Sequence, residues 1–286
     1  DVNMPSMDGY EVCRRLKEEP KTKDIPIIFV TSLTDAGDEE RGFELGAGDY
    51  ITKPVVPAIV QARVKVHLSA SRRHTQLEEM VQKRTNELQE LQHKLIYCLG
   101  KAGEHRDNET GAHVIRVGKS SEMLALAAGC DAQFAEKVLY ASPMHDVGKI
   151  GIADHILLKP SKLSTEEFEI MKTHTTIGAE IVGDDLTGVA ELTRSIVLGH
   201  HEKWNGSGYP SGLQGEAIPL ECRIVAITDV FDALCSERPY KKAWPLGKVI
   251  EYFKTESGKH FDSELCQLFL ALVPQVMALR KESPDE

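Results

Sequence analysis

Nothing in this sequence approaches the roughly 18 consecutive apolar residues of a membrane-spanning helix, and the stretch Asp1 to Tyr10 lacks the apolar centre of a signal peptide. Positive charge is in deficit: 34 Lys and Arg stand against 44 Asp and Glu, for a formal net charge of −10. That balance excludes a protein that grips nucleic acid through bulk basic charge, though not one with a single basic pocket for a phosphorylated small molecule. The six cysteines (Cys13, Cys98, Cys130, Cys222, Cys235 and Cys266) contain no Cys-x-x-Cys pair. They read as reduced thiols filling cores, and neither a disulfide frame nor a zinc knuckle is expected. Internal repeats and low-complexity tracts are also missing. The expectation is an acidic cytoplasmic protein, with no nucleic-acid or membrane partner. At about 150 residues per domain, its 286 residues make two domains.

What is present falls into three parts. Residues 1–68 alternate strand and helix signals. The β-branched run Ile25 to Ser32 predicts a buried parallel strand, and Asp49 to Thr52 a second one. Helical character is read at Tyr10–Lys17, Asp38–Leu45 and Pro54–Leu68, so this part is an α/β layer. Residues 69–100 have no Gly or Pro before Gly100. Leu77, Val81, Arg84, Leu88, Leu91, Leu95 and Cys98 recur at alternating spacings of four and three, a heptad seam. The spacing predicts a parallel coiled coil and therefore a homodimer; a single amphipathic helix docked on its own domain is the plainer alternative. Residues 101–286 read as helices over 111–126, 132–145, 165–182, 190–202, 224–235, 246–257 and 263–279, an all-α domain.

This third part carries a series of histidines and carboxylates: Glu109 with His113, His145-Asp146, His174, His200-His201 and Asp229. Glu109 and His113 are four apart, so one helical face brings both to a single ion. An aspartate next to a histidine can bridge two cations while the histidine binds one. His200 and His201 diverge by about 100° on a helix, which suits neighbouring ions better than one. Taken singly, each pair would be a surface or capping feature. Together they point to a metal centre. Nitrogen and oxygen donors without sulfur favour Fe, Mn, Ni or Zn in an open catalytic site.

The sequence His145-Asp146-Val147-Gly148-Lys149 resembles the signature of the HD phosphohydrolase superfamily. Three further stretches resemble its HD-GYP subfamily: Glu109-Thr110-Gly111-Ala112-His113, His200-His201-Glu202 with Asn205 to Pro210, and Asp229 to Leu234. The resemblance implies an all-α, metal-dependent phosphodiesterase acting on cyclic di-GMP, with Glu109, His113, His145, Asp146, His174, His200, His201 and Asp229 as ligands. No ligand position departs from the pattern. Two or three divalent ions are implied, Fe or Mn ahead of Ni or Zn. Asp146 would bridge and take part in catalysis. Lys149, four after His145 on the same helical face, would place its ammonium against the scissile phosphate. Arg238 and Lys241 would hold substrate phosphate or guanine. Glu109 would add a third ion and carry the reaction past the linear dinucleotide to GMP, or else only orient a histidine. The Gly208-Tyr209-Pro210 loop is tied in this family to contacts with diguanylate cyclase domains.

The run Asp1 to Gly9 resembles the phosphoacceptor strand and following loop of a response-regulator receiver domain. The resemblance makes Asp1 the phosphoacceptor, Thr31 and Lys53 the residues that read the phosphoryl group, and Tyr50 the switch aromatic. It also implies a sensor histidine kinase as partner, acting through an intact receiver. Its earlier strands and Mg²⁺-holding acidic pair have no counterpart here, so the expectation is an N-terminally truncated receiver.

The fold expected is thus multi-domain: a partial α/β, flavodoxin-like receiver over 1–68, a long helical coiled-coil linker over 69–100, and an all-α HD-GYP domain over 101–286. Two other readings remain. One is a module that senses cyclic di-GMP or binds cyclases with little turnover; the other is an HD hydrolase of another nucleotide. A DNA-binding output is disfavoured, since no helix-turn-helix or basic stripe follows the linker.

Overall fold

Parallel strands need a crossover between them, and a helix supplies it. In the computed structural model, β1 (Ile28–Thr31) and β2 (Asp49–Thr52) pair in parallel, with Phe29 opposite Tyr50 and Thr31 opposite Thr52. α2 (Ala36–Glu44) runs between them, and α1 (Gly9–Glu18) precedes them. The structure describes residues 1–32, 36–104, 106, 111–184, 187–237 and 242–283. β1 is shorter than the apolar run because Pro26 has no N–H to offer a ladder. Asp8 caps α1 by accepting the Glu11 backbone N–H at 2.8 Å. Val2, Tyr10, Cys13, Phe29, Ala47 and Tyr50 form one small core.

α3 (Pro57–Glu104) is a single helix across what the sequence divides into a receiver helix and a linker. No Gly or Pro interrupts residues 58–99, and pairs such as Arg84–Glu87 and Lys83–Glu87 lie one turn apart on its surface. The chain forms two compact units, Asp1–Gln89 and Glu90–Glu286.

The second unit is helical. After the end of α3 come α4 (Gly111–Ala127), α5 (Ala132–Ala141), α6 (Asp154–Leu157), α7 (Thr165–Lys172), α8 (His174–Val182), α9 (Val189–Gly199), α10 (Leu220–Cys235), α11 (Leu246–Glu256) and α12 (Ser263–Glu282). Its main core gathers Leu124, Val138, Ile224, Phe231, Phe253 and Phe269, all buried. Burying each such side chain contributes roughly 1.5–3 kcal/mol. Phe231 and Phe269 meet edge-on at 5.0 Å, a favoured aromatic geometry. Among the described residues, no helix is long and apolar enough to cross a membrane, and all six cysteines are free.

Two expected helices break. The one read over 132–145 stops at Ala141, because Pro143 cannot donate the next helical hydrogen bond. The chain continues as a 3₁₀ turn, Ser142–Met144, and a second 3₁₀ stretch, Val147–Gly151. The helix read over 165–182 divides at Thr173 into α7 and α8. Ser164 and Glu167 form a capping box at the start of α7.

Candidate metal centre

The break after α5 is what places the His-Asp pair. His145 and Asp146 sit between the two 3₁₀ segments, so Lys149 does not follow His145 along an α-helical face as the sequence suggested. Instead it turns back, and its Nζ meets Asp146 Oδ2 at 2.6 Å. Gly148 allows the segment to lie on the start of α8: a Cβ there would fall 1.8 Å from the His174 carbonyl oxygen. Around the pair stand His113 from α4, His174 at the head of α8, His200 and His201 at the end of α9, and Asp229 from α10.

Each buried ring has its Nδ1 occupied by an acceptor. His145 Nδ1 lies 2.8 Å from the Ser142 carbonyl, His174 Nδ1 2.7 Å from Met171, and His200 Nδ1 3.0 Å from Ile196. His113 Nδ1 lies 2.8 Å from Asp232 Oδ2. Carbonyls and carboxylates only accept, so Nδ1 carries the proton and the Nε2 lone pair faces inward. His174 Nε2 and His200 Nε2 then point at Asp146 Oδ1 from 3.2 and 3.5 Å, and none of these three buried atoms makes a hydrogen bond. Lone pairs set against a carboxylate in a dry site repel one another unless a cation lies between them. On this ground the residues fit a metal ion.

The ligand atoms fall into two groups, each within 4.8 Å: Asp146, His174, His200 and His201 in one; His113, His145 and Asp229 in the other. Asp146 belongs to the first, with Oδ1 toward it, and its Oδ2 lies 3.3 Å from His145 Nε2 of the second. Asp229 Oδ1 lies 3.5 Å from His113 Nε2 and 3.7 Å from His145 Nε2. The expectation that His200 and His201 serve different ions is corrected: both belong to one group. His200 caps α9 and His201 lies beyond it, so helical divergence does not govern their directions.

The protonation states suit a cation. Burial opposes ionisation of Asp146, yet the Lys149 charge and neighbouring His145 hold its carboxyl well below the ordinary range. Burial likewise opposes ionisation of Asp229, and its carboxyl is held below the ordinary range by positive charge on the side of His113 and His145, the side from which a cation would act. Burial drives His200 down and His201 further down, keeping both neutral. Ionised carboxylates beside neutral imidazoles are the forms that ligate metal.

The groups open onto a cavity of about 280 Å³, walled by Lys149, Tyr209, Met171 and Leu234. The Tyr209 ring lies 4.8 Å from that of His201. Glu109, Arg238 and Lys241 lie outside the described residues.

Two residues of the site escaped the sequence reading. Asp232, one turn beyond Asp229, binds His113 and takes both Nε and Nη2 of buried Arg116 at 2.8 Å, with Arg280 of α12 also upon it. Glu202, only 3 % exposed, accepts the backbone N–H groups of Ser211, Gly212 and Leu213 at 2.7, 3.1 and 3.0 Å, pinning the loop that carries Tyr209. The one-turn spacing from Asp229 signals the first; nothing local signals the second.

In the N-terminal unit, Lys53 Nζ meets Asp1 Oδ2 at 2.6 Å. Thr31 ends β1 and is buried, and its carbonyl accepts the Lys53 N–H at 2.8 Å. The Tyr50 ring is buried, with its hydroxyl 2.9 Å from that of Tyr10.

The HD domain family model matches residues 74–265, and the response regulator receiver domain model matches residues 1–65. The cyclic di-GMP phosphodiesterase response regulator RpfG of Xanthomonas campestris pv. campestris is 39% identical over 92% of this chain and 71% of its own length. A 3′3′-cGAMP-specific phosphodiesterase 2 of Vibrio cholerae is 43% identical over 70% of this chain and 38% of its own. A crystal structure of a cyclic GMP-AMP-specific phosphodiesterase from V. cholerae shares the fold, with a TM-score of 0.50 and 21% identity over 65% of this chain and 50% of that one. The metal-donor constellation, the family model over most of the chain and a response-regulator relative that aligns with 92% of this chain lead to one conclusion: this chain belongs to the HD domain family, with a response regulator receiver domain ahead of the HD domain.

Proposed function

We propose that the protein is a phosphodiesterase that hydrolyses cyclic di-GMP to the linear dinucleotide and then GMP. The observation that carries this reading is Asp146: one carboxylate faces two groups of metal donors, with a lysine ammonium at 2.6 Å and an open cavity beside it. His113, His145, Asp146, His174, His200, His201 and Asp229 would hold two divalent ions, Fe or Mn ahead of Ni or Zn, and Glu109 would serve a third. Bound there, such ions supply Lewis acidity and lower the pKa of water. The protein's own share is positional and electrostatic. Lys149 sets its charge where the phosphoryl oxygens become more negative, and so lowers the barrier more than it tightens binding. Met171 and Leu234 give the cavity an apolar wall for a nucleobase. Arg238 and Lys241 would hold phosphate or guanine.

The relative of receiver-plus-HD architecture that spans nearly all of this chain favours cyclic di-GMP. The 43% identity to a 3′3′-cGAMP-specific enzyme supports a second reading, in which a different cyclic dinucleotide is cut. Anaerobic purification, metal analysis and product chromatography on both dinucleotides decide. Turnover of cyclic di-GMP to GMP is expected; a metal-loaded protein that leaves it intact overturns the assignment.

Regulation follows from the same reading. We divide the chain into a receiver over 1–68, a linker over 69–100 and an HD-GYP domain over 101–286. In an intact receiver, with the Mg²⁺-holding acidic pair present, Asp1 would accept phosphate from a sensor kinase in the cytoplasm, with Lys53, Thr31 and Tyr50 responding. Leu77, Val81, Leu88, Leu91 and Leu95 are all more than half exposed along α3, the pattern of a coiled-coil seam awaiting a second copy. The Gly208–Pro210 loop would meet diguanylate cyclase domains. Charged replacements at Leu88 and Leu91 should shift the mass in solution to that of a monomer.

A further inference from the structure

α3 contains no glycine from Pro57 until its last two turns, where Gly100 and Gly103 appear. Glycine is the poorest helix former after proline, so two of them here call for a packing reason. With Ile96 they fall at spacings of four and three, on one face. A Cβ on Gly100 would stand 2.3 Å from the Pro143 carbonyl oxygen, and one on Gly103 would stand 3.2 Å from Val147 Cα. Pro143 and Val147 bracket His145 and Asp146. Ile96 packs on Met144, Val147 and Val197, which close the same interface. On its other side the segment is held by the approach of Gly148 to the start of α8. The segment that carries Asp146 is therefore held between the Gly100 and Gly148 contacts, which leave no room for a methyl group, while at Gly103 a methyl group would fit only if Val147 gave way by a few tenths of an ångström.

We propose that Gly100 and Gly103 form a seat through which the end of α3 sets the position of Asp146, making both of them positioning residues of the metal centre. Backbone-to-backbone contact transmits a helix shift with little loss, since no flexible side chain lies between. α3 begins at Pro57, within the N-terminal unit, so the helix that leaves the receiver ends on a segment bearing a metal ligand. This rests on Asp146 being a ligand, as the proposed function holds.

The test compares Gly103→Ala and Gly100→Ala with Gly247→Ala, a helical glycine whose added Cβ meets nothing within 4 Å. The readouts are Mn²⁺ affinity by titration, thermal melting, and turnover of cyclic di-GMP. Gly103→Ala should keep its helical circular dichroism, melt no higher than wild type, and bind Mn²⁺ about tenfold more weakly, with a matching fall in turnover. Gly100→Ala should do more, and Gly247→Ala should leave Mn²⁺ affinity and turnover unchanged. An alanine at an unseated helical glycine raises the melting temperature by about 2–4 °C. Gly103→Ala showing that rise, with wild-type Mn²⁺ affinity, overturns the seat. So does a Gly103→Ala that cannot fold, because the contact would then serve the fold and not the centre. If wild type binds Mn²⁺ yet leaves cyclic di-GMP intact, the functional reading falls while the Mn²⁺ arm still decides the seat.

Discussion

Two regions of this molecule hold a lysine against an aspartate at the same distance, 2.6 Å. Around Lys53 and Asp1 the side chains are 44% and 37% exposed; around Lys149 and Asp146 they are 13% and 9% exposed. Water screens the first pair, so it is worth little to stability and either partner can leave it for another ligand. The second is dry, and its charges act at full strength on whatever else enters. A buried ion pair is poor evidence for stability, because desolvating its members costs several kcal/mol. That cost is incurred beside two groups of metal-donor side chains, where the proposed function gives an ammonium and a carboxylate chemistry to perform. On the proposed function, the receiver pair suits a carboxylate that is modified and released, and the HD pair one that stays.

The comparison is broken most severely at Asp146. Asp146→Asn keeps the shape but removes the charge shared by both donor groups. Metal content should collapse, and turnover should fall by at least about 10³-fold. Next is Lys149→Ala, expected to lower kcat by about 10²-fold with a smaller change in KM. An unchanged kcat would remove Lys149 from the mechanism. Glu202→Gln leaves one of three backbone donors facing an amide NH₂ and loosens the Tyr209 loop. Charged hydrogen bonds of this kind contribute about 1.5–3 kcal/mol, so kcat/KM should fall by roughly tenfold and the loop should exchange its amide protons faster.

A pH titration sharpens the contrast between dry and wet groups. Burial and the Lys203 charge push His260 down to about 4. Below the unfolded value of about 6.5, the unfolded chain therefore gains a proton that the folded chain refuses. Stability should fall as pH drops from about 6.5 to 4, by up to about 1.4 kcal/mol per pH unit from this group. His260→Asn should flatten that slope in denaturant melts. The smallest effect belongs to the exposed pair: Lys53→Ala should alter stability by no more than about 1 kcal/mol and leave basal turnover unchanged. A larger loss would mean that the receiver pair is as structural as the buried one.

Much of the site was legible because a cation restricts its donors to a few residue types, and those stood out in an otherwise plain helical sequence. β2 was read at its true limits, since Asp49–Thr52 is bounded by Gly48 and Pro54. Misreadings occurred where local pattern yields to a single residue or to distance. Pro143 ended a helix that the apolar rhythm carried on to His145. His201 lies beyond α9, so helical periodicity does not set its divergence from His200.

By itself, the sequence determined the two kinds of domain, the helical bias of the long connection and the list of candidate ligands, because periodicity and donor chemistry are local properties. Only the tertiary structure decided how those ligands group, that Asp146 turns one oxygen to each group, and that Asp232 and Glu202 are buried anchors and not solvated acids. It alone set two glycines of α3 against the His-Asp backbone. These are relations between residues far apart in the chain: Asp232 reaches His113 across 119 positions. Which distant groups share a dry site is fixed by packing, and packing, by excluding water, gives their charges their strength.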